Sequence, residues 1–159
     1  MSCFFDTHVL VCVFDRAEPL KQSQAQTLVA QHMTARDMVL STQVLQELYV
    51  TLTRKKQLTA ADALEVVTTF AQERVVPASA DLVLRGLALS ERRQLSAWDA
   101  WDALILQAAL DAGCTTLYSE DFQTGAHFDE LVVVNPFALQ VHERQVHERR
   151  APYKRSRAK

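Results

Sequence analysis

Apolar positions along the chain fall into short runs separated by longer stretches with helical spacing. Residues 2–5 form a strand candidate that ends at Asp6. Further runs at 38–40, at Val75 and Val76 before Pro77, at 116–119 and at 131–134 make about five short strands. Pro19 suits the first position of a helix, continued by the spacing of Leu20, Leu28, Val29 and Met33. Ser41 or Thr42 can cap a helix running to about Arg54. Thr59 opens another helix, with Asp62 three residues on as a variant of the capping box. A helix follows over 80–90, and Ser96 caps a long one over 97–112 that Gly113 is placed to stop.

Strands separated by helices imply right-handed crossovers and a mainly parallel sheet covered on both faces, an α/β architecture. One domain extends to about residue 139. The remaining 140–159 lack apolar periodicity and contain the near-repeat His142-Glu143-Arg144-Gln145-Val146-His147-Glu148-Arg149. They read as a charged extension that frays into disorder.

Composition supports this reading. In 159 residues, 48% hydrophobic, a core can form without disulfides or a structural metal. Three Gly, four Pro and 23% charged residues exclude a disordered or collagen-like chain. No run approaches the length needed to cross a bilayer, and Asp6 interrupts the first apolar run before a secretory signal could form. A cytoplasmic protein is expected. Cys3, Cys12 and Cys114 contain no Cys-x-x-Cys pair, so they read as small buried hydrophobes in a reducing compartment.

The formal charge of −2 conceals an asymmetry. From residue 142 onward there are seven Lys or Arg and two Glu, leaving ten basic and seventeen acidic residues in the first 141. A body this acidic is not the usual footprint of a nucleic-acid binder. Either the acid is gathered in a site that recruits cations, or the protein does not touch nucleic acid.

The carboxylates favour the first alternative. Asp6 and Asp121 each follow a strand, where open parallel sheets gather their ligands, although an Asp there also caps helices. In the long helix, Trp101, Ile105, Leu106, Ala108, Ala109 and Ala112 form one apolar stripe, and Asp102 falls inside it. A carboxylate in a core-facing stripe costs several kcal/mol unless it is paired or binds a cation. Asp99 lies at the edge of the stripe and is also the third residue after Ser96, which suits a capping box. Glu47 sits beside the face made by Val44, Leu45, Leu48 and Leu52, where a boundary residue paired with Thr51 or Arg54 is the plainer reading. Brought together, Asp6, Glu47, Asp102 and Asp121 would repel one another unless a hard cation such as Mg²⁺ or Mn²⁺ compensated them. Such ions serve phosphodiester hydrolysis.

Five segments resemble the PIN-domain ribonucleases, specifically the VapC-type toxins of toxin–antitoxin pairs. Phe4-Phe5-Asp6-Thr7-His8-Val9-Leu10-Val11 is similar to the opening strand and Asp-Thr segment of that family, and 41–49 to the segment carrying its Glu. Residues 95–105, 117–125 and 133–137 resemble its third and fourth acidic motifs and its usual ending. The resemblance, over residues 2–137, implies a three-layer α/β/α PIN-like fold. It further implies a Mg²⁺-dependent endoribonuclease with Asp6, Glu47, Asp102 and Asp121 as catalytic metal ligands, a homodimer, and inhibition by a cognate antitoxin. Asp99 is a second candidate ligand, with Asp102 preferred because the Asp-Ala-Leu-Ile match and the helical phase agree on it. His8 departs from the Asn or Ser usual after Asp-Thr, which can disturb the turn around Asp6. The basic tail has no counterpart.

An RNA substrate requires cations around the acids. Arg54, Lys55 and Lys56, and the pair Arg92-Arg93, are candidates, although each also suits a solvated helix terminus. Trp98 and Trp101 read as core or as part of an antitoxin groove more readily than as base-stacking groups, and Ser119 as a group near a metal-bound water. Metal-bound water makes His8 unnecessary as a general base. A Mg²⁺-dependent phosphatase is disfavoured, because Asp6 is followed by Thr-His and not by a second Asp two residues on. A non-catalytic PIN-like module binding RNA or antitoxin is disfavoured by the intact acid set.

Overall fold

A computed structural model describes residues 1–92 and 100–138 of the chain. Ser96, Trp98, Asp99, Arg93 and the basic extension lie outside the described residues. The elements, in order, are β1 (Cys3–Phe5), α1 (Thr7–Cys12), α2 (Pro19–Ala35), β2 (Met38–Ser41), α3 (Thr42–Arg54), α4 (Ala60–Phe70), β3 (Arg74–Val76), α5 (Ala80–Arg92), α6 (Ala100–Asp111), β4 (Thr116–Tyr118), β5 (His127–Phe128) and β6 (Leu131–Val134).

The strands form one six-stranded sheet in the order β3-β2-β1-β4-β6-β5, parallel except for the pairing of β5 with β6. Its central strands are apolar on both faces: Phe4, Phe5, Leu40 and Leu117 are fully buried, as expected where helices cover both sides of a sheet. The fold is the mainly parallel α/β architecture expected from the sequence, with one strand more. That strand, β5, has two residues and carries no alternation to detect. Asp129, at φ 52°, turns the chain directly from it into β6. Helix α1 was also not anticipated, because six residues between two buried elements are apolar almost throughout.

Helix termini follow local chemistry. Ser41 Oγ accepts from the Val44 amide at the start of α3, and Thr59 Oγ1 accepts from the Asp62 amide at the start of α4. Pro19 opens α2. Gly113, at φ 65°, takes the left-handed conformation just beyond α6. Helices α5 and α6 pack closely because Gly86 has no side chain: a Cβ there would lie 2.8 Å from Leu104 Cδ2.

Two expectations about apolar faces are corrected. Leu20 is exposed; Val29 is buried and Leu28 and Met33 pack against the core as expected, and Ala25 and His32 complete the buried face of α2. Trp101, placed in the apolar stripe by helical phase, is 58% exposed. Phase selects the side of a helix but not how far along its axis the packing extends, and Trp101 lies on the first turn of α6. The rest of the stripe, from Ile105 to Ala112, is buried as expected. Among the described residues, no helix is long and apolar enough to cross a membrane.

Candidate active site

The order of the strands sets where a site can form. From β1 the chain proceeds outward to β2 and β3, then returns to place β4 on the other side of β1. This reversal opens a crevice at the carboxyl ends of β1 and β4, the usual ligand position in such sheets. The Asp6 amide donates to the Tyr118 carbonyl at 3.0 Å, so the ends of the two strands are level.

A cleft of about 370 Å³ occupies this crevice, and Asp6, Glu47, Asp102 and Asp121 all line it. Asp6 arrives at the end of β1, Glu47 on the second turn of α3, Asp102 on the first turn of α6, and Asp121 in the loop after β4. Asp6 is the most enclosed, at 5% exposure, whereas Glu47 and Asp102 are half-buried and Asp121 is exposed.

Each inner carboxylate is held by donors from elsewhere in the chain. Asp6 Oδ1 accepts from the Thr7 amide at 2.7 Å, so Asp6 caps α1 while facing the cleft. Asp6 Oδ2 accepts from the Ser119 hydroxyl at 2.6 Å. The same hydroxyl oxygen accepts from the Asp121 amide at 3.1 Å, which ties the two acids together through one buried side chain. Ser119 was expected near a metal-bound water; its donated bond goes to Asp6 instead. Glu47 Oε2 accepts from the Thr7 hydroxyl at 2.8 Å, and Glu47 Oε1 from Gln43 Nε2 at 2.8 Å. These replace the expected pairing of Glu47 with Thr51 or Arg54. Gln43 Nε2 also reaches the Trp101 carbonyl at 3.3 Å, linking α3 to the first turn of α6.

At Asp6 the cleft is unfavourable to negative charge. Burial raises the Asp6 carboxyl to about 7, and the charges of Asp121 and Glu47 push in the same direction. The hydrogen bonds from Ser119 and the Thr7 amide oppose the shift without cancelling it. Among the described residues, the sets of three ligand-type side chains whose donor atoms all lie within 4.8 Å of one another are Cys3–His32–Asp37 and His8–Cys12–Glu120. The four cleft acids share a cavity and an electrostatic field but are not such a set. All three cysteines are free and buried, as expected.

Sequence reasoning missed Thr7 and Gln43 as groups holding Glu47. The four-residue spacing of Gln43 and Glu47 places them on one helix face and is the signal that was available. Lys55 and Lys56 also line the cleft, and Lys56 forms an ion pair with Asp15 at its edge. Arg54 is exposed at the end of α3 and does not line it. His8 lines the cleft and pairs with Glu120, with Nε2 3.0 Å from Oε2, and leaves the hydrogen bonds of Asp6 intact.

The family model described as PIN domain matches residues 3–128. Among solved structures, the Mycobacterium tuberculosis toxin VapC20, described as cleaving the sarcin–ricin loop, superposes with a TM-score of 0.63. It is 23% identical over 77% of this chain and 90% of its own. A toxin–antitoxin complex from Klebsiella pneumoniae superposes with a TM-score of 0.60, at 22% identity over 85% of this chain and 98% of its own. FitAcB from Neisseria gonorrhoeae gives 0.53, at 18% identity over the same shares of the two chains. No curated protein sequence matches.

Proposed function

The chain belongs to the PIN domain family, and on that premise we propose that it is a metal-dependent endoribonuclease, the toxin of a toxin–antitoxin pair, with Asp6, Glu47, Asp102 and Asp121 as its catalytic acids. The observation that carries this reading is the convergence of four carboxylates from separate segments on one cleft, with the innermost raised to about 7.

The donor set fits a hard divalent cation. It consists of carboxylate oxygens, and the burial and mutual repulsion that raise Asp6 are what a positive charge at this point would relieve. The spread of the acids around the cleft suits Mg²⁺, or Mn²⁺, which keeps several of its waters. Asp6, Glu47, Asp102 and Asp121 would hold such an ion, whose chemistry would be to activate a water and to stabilise the leaving 3′-oxygen, giving a 5′-phosphate and a 3′-hydroxyl.

The rest of the work belongs to the chain. Ser119 and the Thr7 amide fix both oxygens of Asp6, and Thr7 and Gln43 fix both oxygens of Glu47, so these acids keep their orientation without a ligand. Lys55 and Lys56 at the edge of the cleft supply positive charge for substrate phosphates. Asp99, three residues before Asp102 in the sequence, is retained as a further candidate ligand. Inhibition by a cognate antitoxin belongs to the same reading, supported by the likeness to a toxin–antitoxin complex, and assembly as a homodimer is proposed with it.

Cleavage of RNA in Mg²⁺ or Mn²⁺, with and without EDTA, tests the proposal on the parent and on Asp6→Asn. Cleavage by the parent alone, abolished by EDTA, is expected. Metal-independent cleavage, or cleavage by folded Asp6→Asn at the parental rate, overturns it.

A further inference from the structure

A tryptophan carries the largest apolar side-chain surface of any residue, and one left 58% exposed on the rim of a charged cleft is a cost unless something covers it. Trp101 occupies that position. It lines the cleft directly beside Asp102, on the first turn of α6, and its carbonyl is bonded to the same Gln43 amide that holds Glu47. The indole is therefore carried on backbone that is tied to the acid site.

Resting on the ribonuclease reading above, we propose that Trp101 is a stacking platform that positions an unpaired base next to the scissile phosphate. Three observations point to a base in preference to a protein surface. The ring borders a cleft in which Gln43, Lys55, Lys56 and the acids outnumber the apolar side chains Val11 and Ile105. Lysines and acids in the same cleft suit a strand whose phosphates pass between cationic side chains and the catalytic acids. An aromatic face beside such a track is the arrangement by which proteins hold unpaired bases, since every base offers a π face. A base confined in a duplex is stacked on its neighbours and has no face to give. Trp101 is a positioning residue in this account: it fixes the nucleotide, while the acids act on the phosphate.

The test compares wild type, Trp101→Phe and Trp101→Ala on a short mixed-sequence single-stranded oligoribonucleotide, on the same strand annealed to its complement, and on an abasic version. Steady-state cleavage in Mg²⁺ and equilibrium binding in Ca²⁺ are both measured. Trp101→Ala is expected to raise KM and Kd for the single strand about 5-fold or more, and Trp101→Phe to recover most of the loss. The abasic strand should bind all three proteins alike, and the duplex should be a poor substrate for each. A folded Trp101→Ala with parental KM and Kd overturns the inference and leaves the ring as a contact for a protein partner. An equal loss of affinity on intact and abasic strands overturns it too, as a general disturbance of α6. If wild type fails to cleave any strand, the ribonuclease reading fails, while the binding comparison still decides whether a base stacks on Trp101.

Discussion

The Ser119 hydroxyl donates to Asp6 Oδ2 at 2.6 Å across 113 residues of chain, and its oxygen accepts from the Asp121 amide. One fully buried hydroxyl thus orients the carboxylate at the end of β1 and anchors the backbone of the acid in the loop after β4. Its bond to Asp6 also counteracts the rise in that carboxyl. Ser119→Ala should leave Asp6 harder to ionise and less well aimed. Loss of a group that orients a metal ligand commonly weakens metal affinity by about 10- to 100-fold. The Mn²⁺ concentration that gives half-maximal cleavage should rise by that order, while saturating Mn²⁺ recovers part of the rate. An unchanged Mn²⁺ requirement would show that the hydroxyl only fills space.

Asp6 also links pH to stability. Its carboxyl stands at about 7 in the folded protein against an ordinary 3.8, so the native state holds a proton that the unfolded chain releases. The resulting contribution to stability is fully present below the ordinary value and is lost as pH rises through about 7. In EDTA, the wild-type melting temperature should therefore fall over this range, with up to about 4 kcal/mol at stake. Asp6→Asn removes the titrating group and should melt higher than wild type at pH 8, with little difference near pH 4. Parallel melting profiles for the two proteins would contradict the assignment.

A divalent ion should reverse this loss, because it binds the folded cleft and not the unfolded chain. At a hundredfold excess over Kd, Mg²⁺ or Mn²⁺ should raise the melting temperature by roughly 5–10 °C. The rise should be larger at pH 8 than at pH 5, where protonated Asp6 competes with the metal. Thermal melts in both buffers, with Ca²⁺-free and EDTA controls, read the effect directly.

Much of the site was legible in the sequence because strand ends and helical phase position a carboxylate without knowledge of its neighbours. Asp6 and Asp121 were placed by the ends of their strands, and Asp102 by its phase among Ile105, Leu106 and Ala109. What was not legible depends on distant pairing. Nothing local shows that Thr7 would hold Glu47, since its hydroxyl comes from 40 residues away. Trp101 was misplaced for a related reason, as what packs over the first turn of α6 is set by distant segments and not by the helix itself. The strand β5 escaped notice because two residues carry no period.

Gln43 serves as a check on that long-range scaffold. Its amide reaches both Glu47 Oε1 and the Trp101 carbonyl, so Gln43→Ala releases one oxygen of the acid and the link to α6 together. A fall in kcat of about 10-fold or more is expected, with folding retained. Gln43→Glu should be worse than Gln43→Ala, because it adds a negative charge beside Glu47. Equal activity of the two variants would argue that Glu47 is not part of the charged site.

Lys55 and Lys56 allow a separate reading of substrate contact. Lys55→Ala and Lys56→Ala should raise KM for single-stranded RNA with little change in kcat. Each lost phosphate contact should flatten the plot of log affinity against log salt by about 0.7. Lys56→Ala is expected to show the smaller effect, since part of its charge is already engaged by Asp15. A salt slope that neither change alters would place the RNA elsewhere on the surface.

The account stands on the four acids sharing a divalent cation, and a titration of Mn²⁺ into metal-free protein, read by calorimetry, tests this most directly. Wild type should bind Mn²⁺ saturably, and Asp6→Asn, Glu47→Gln, Asp102→Asn and Asp121→Asn should each bind it more weakly while remaining folded. Saturable binding that survives unchanged in Asp6→Asn and Asp121→Asn, or no binding by wild type at millimolar Mn²⁺, would contradict it.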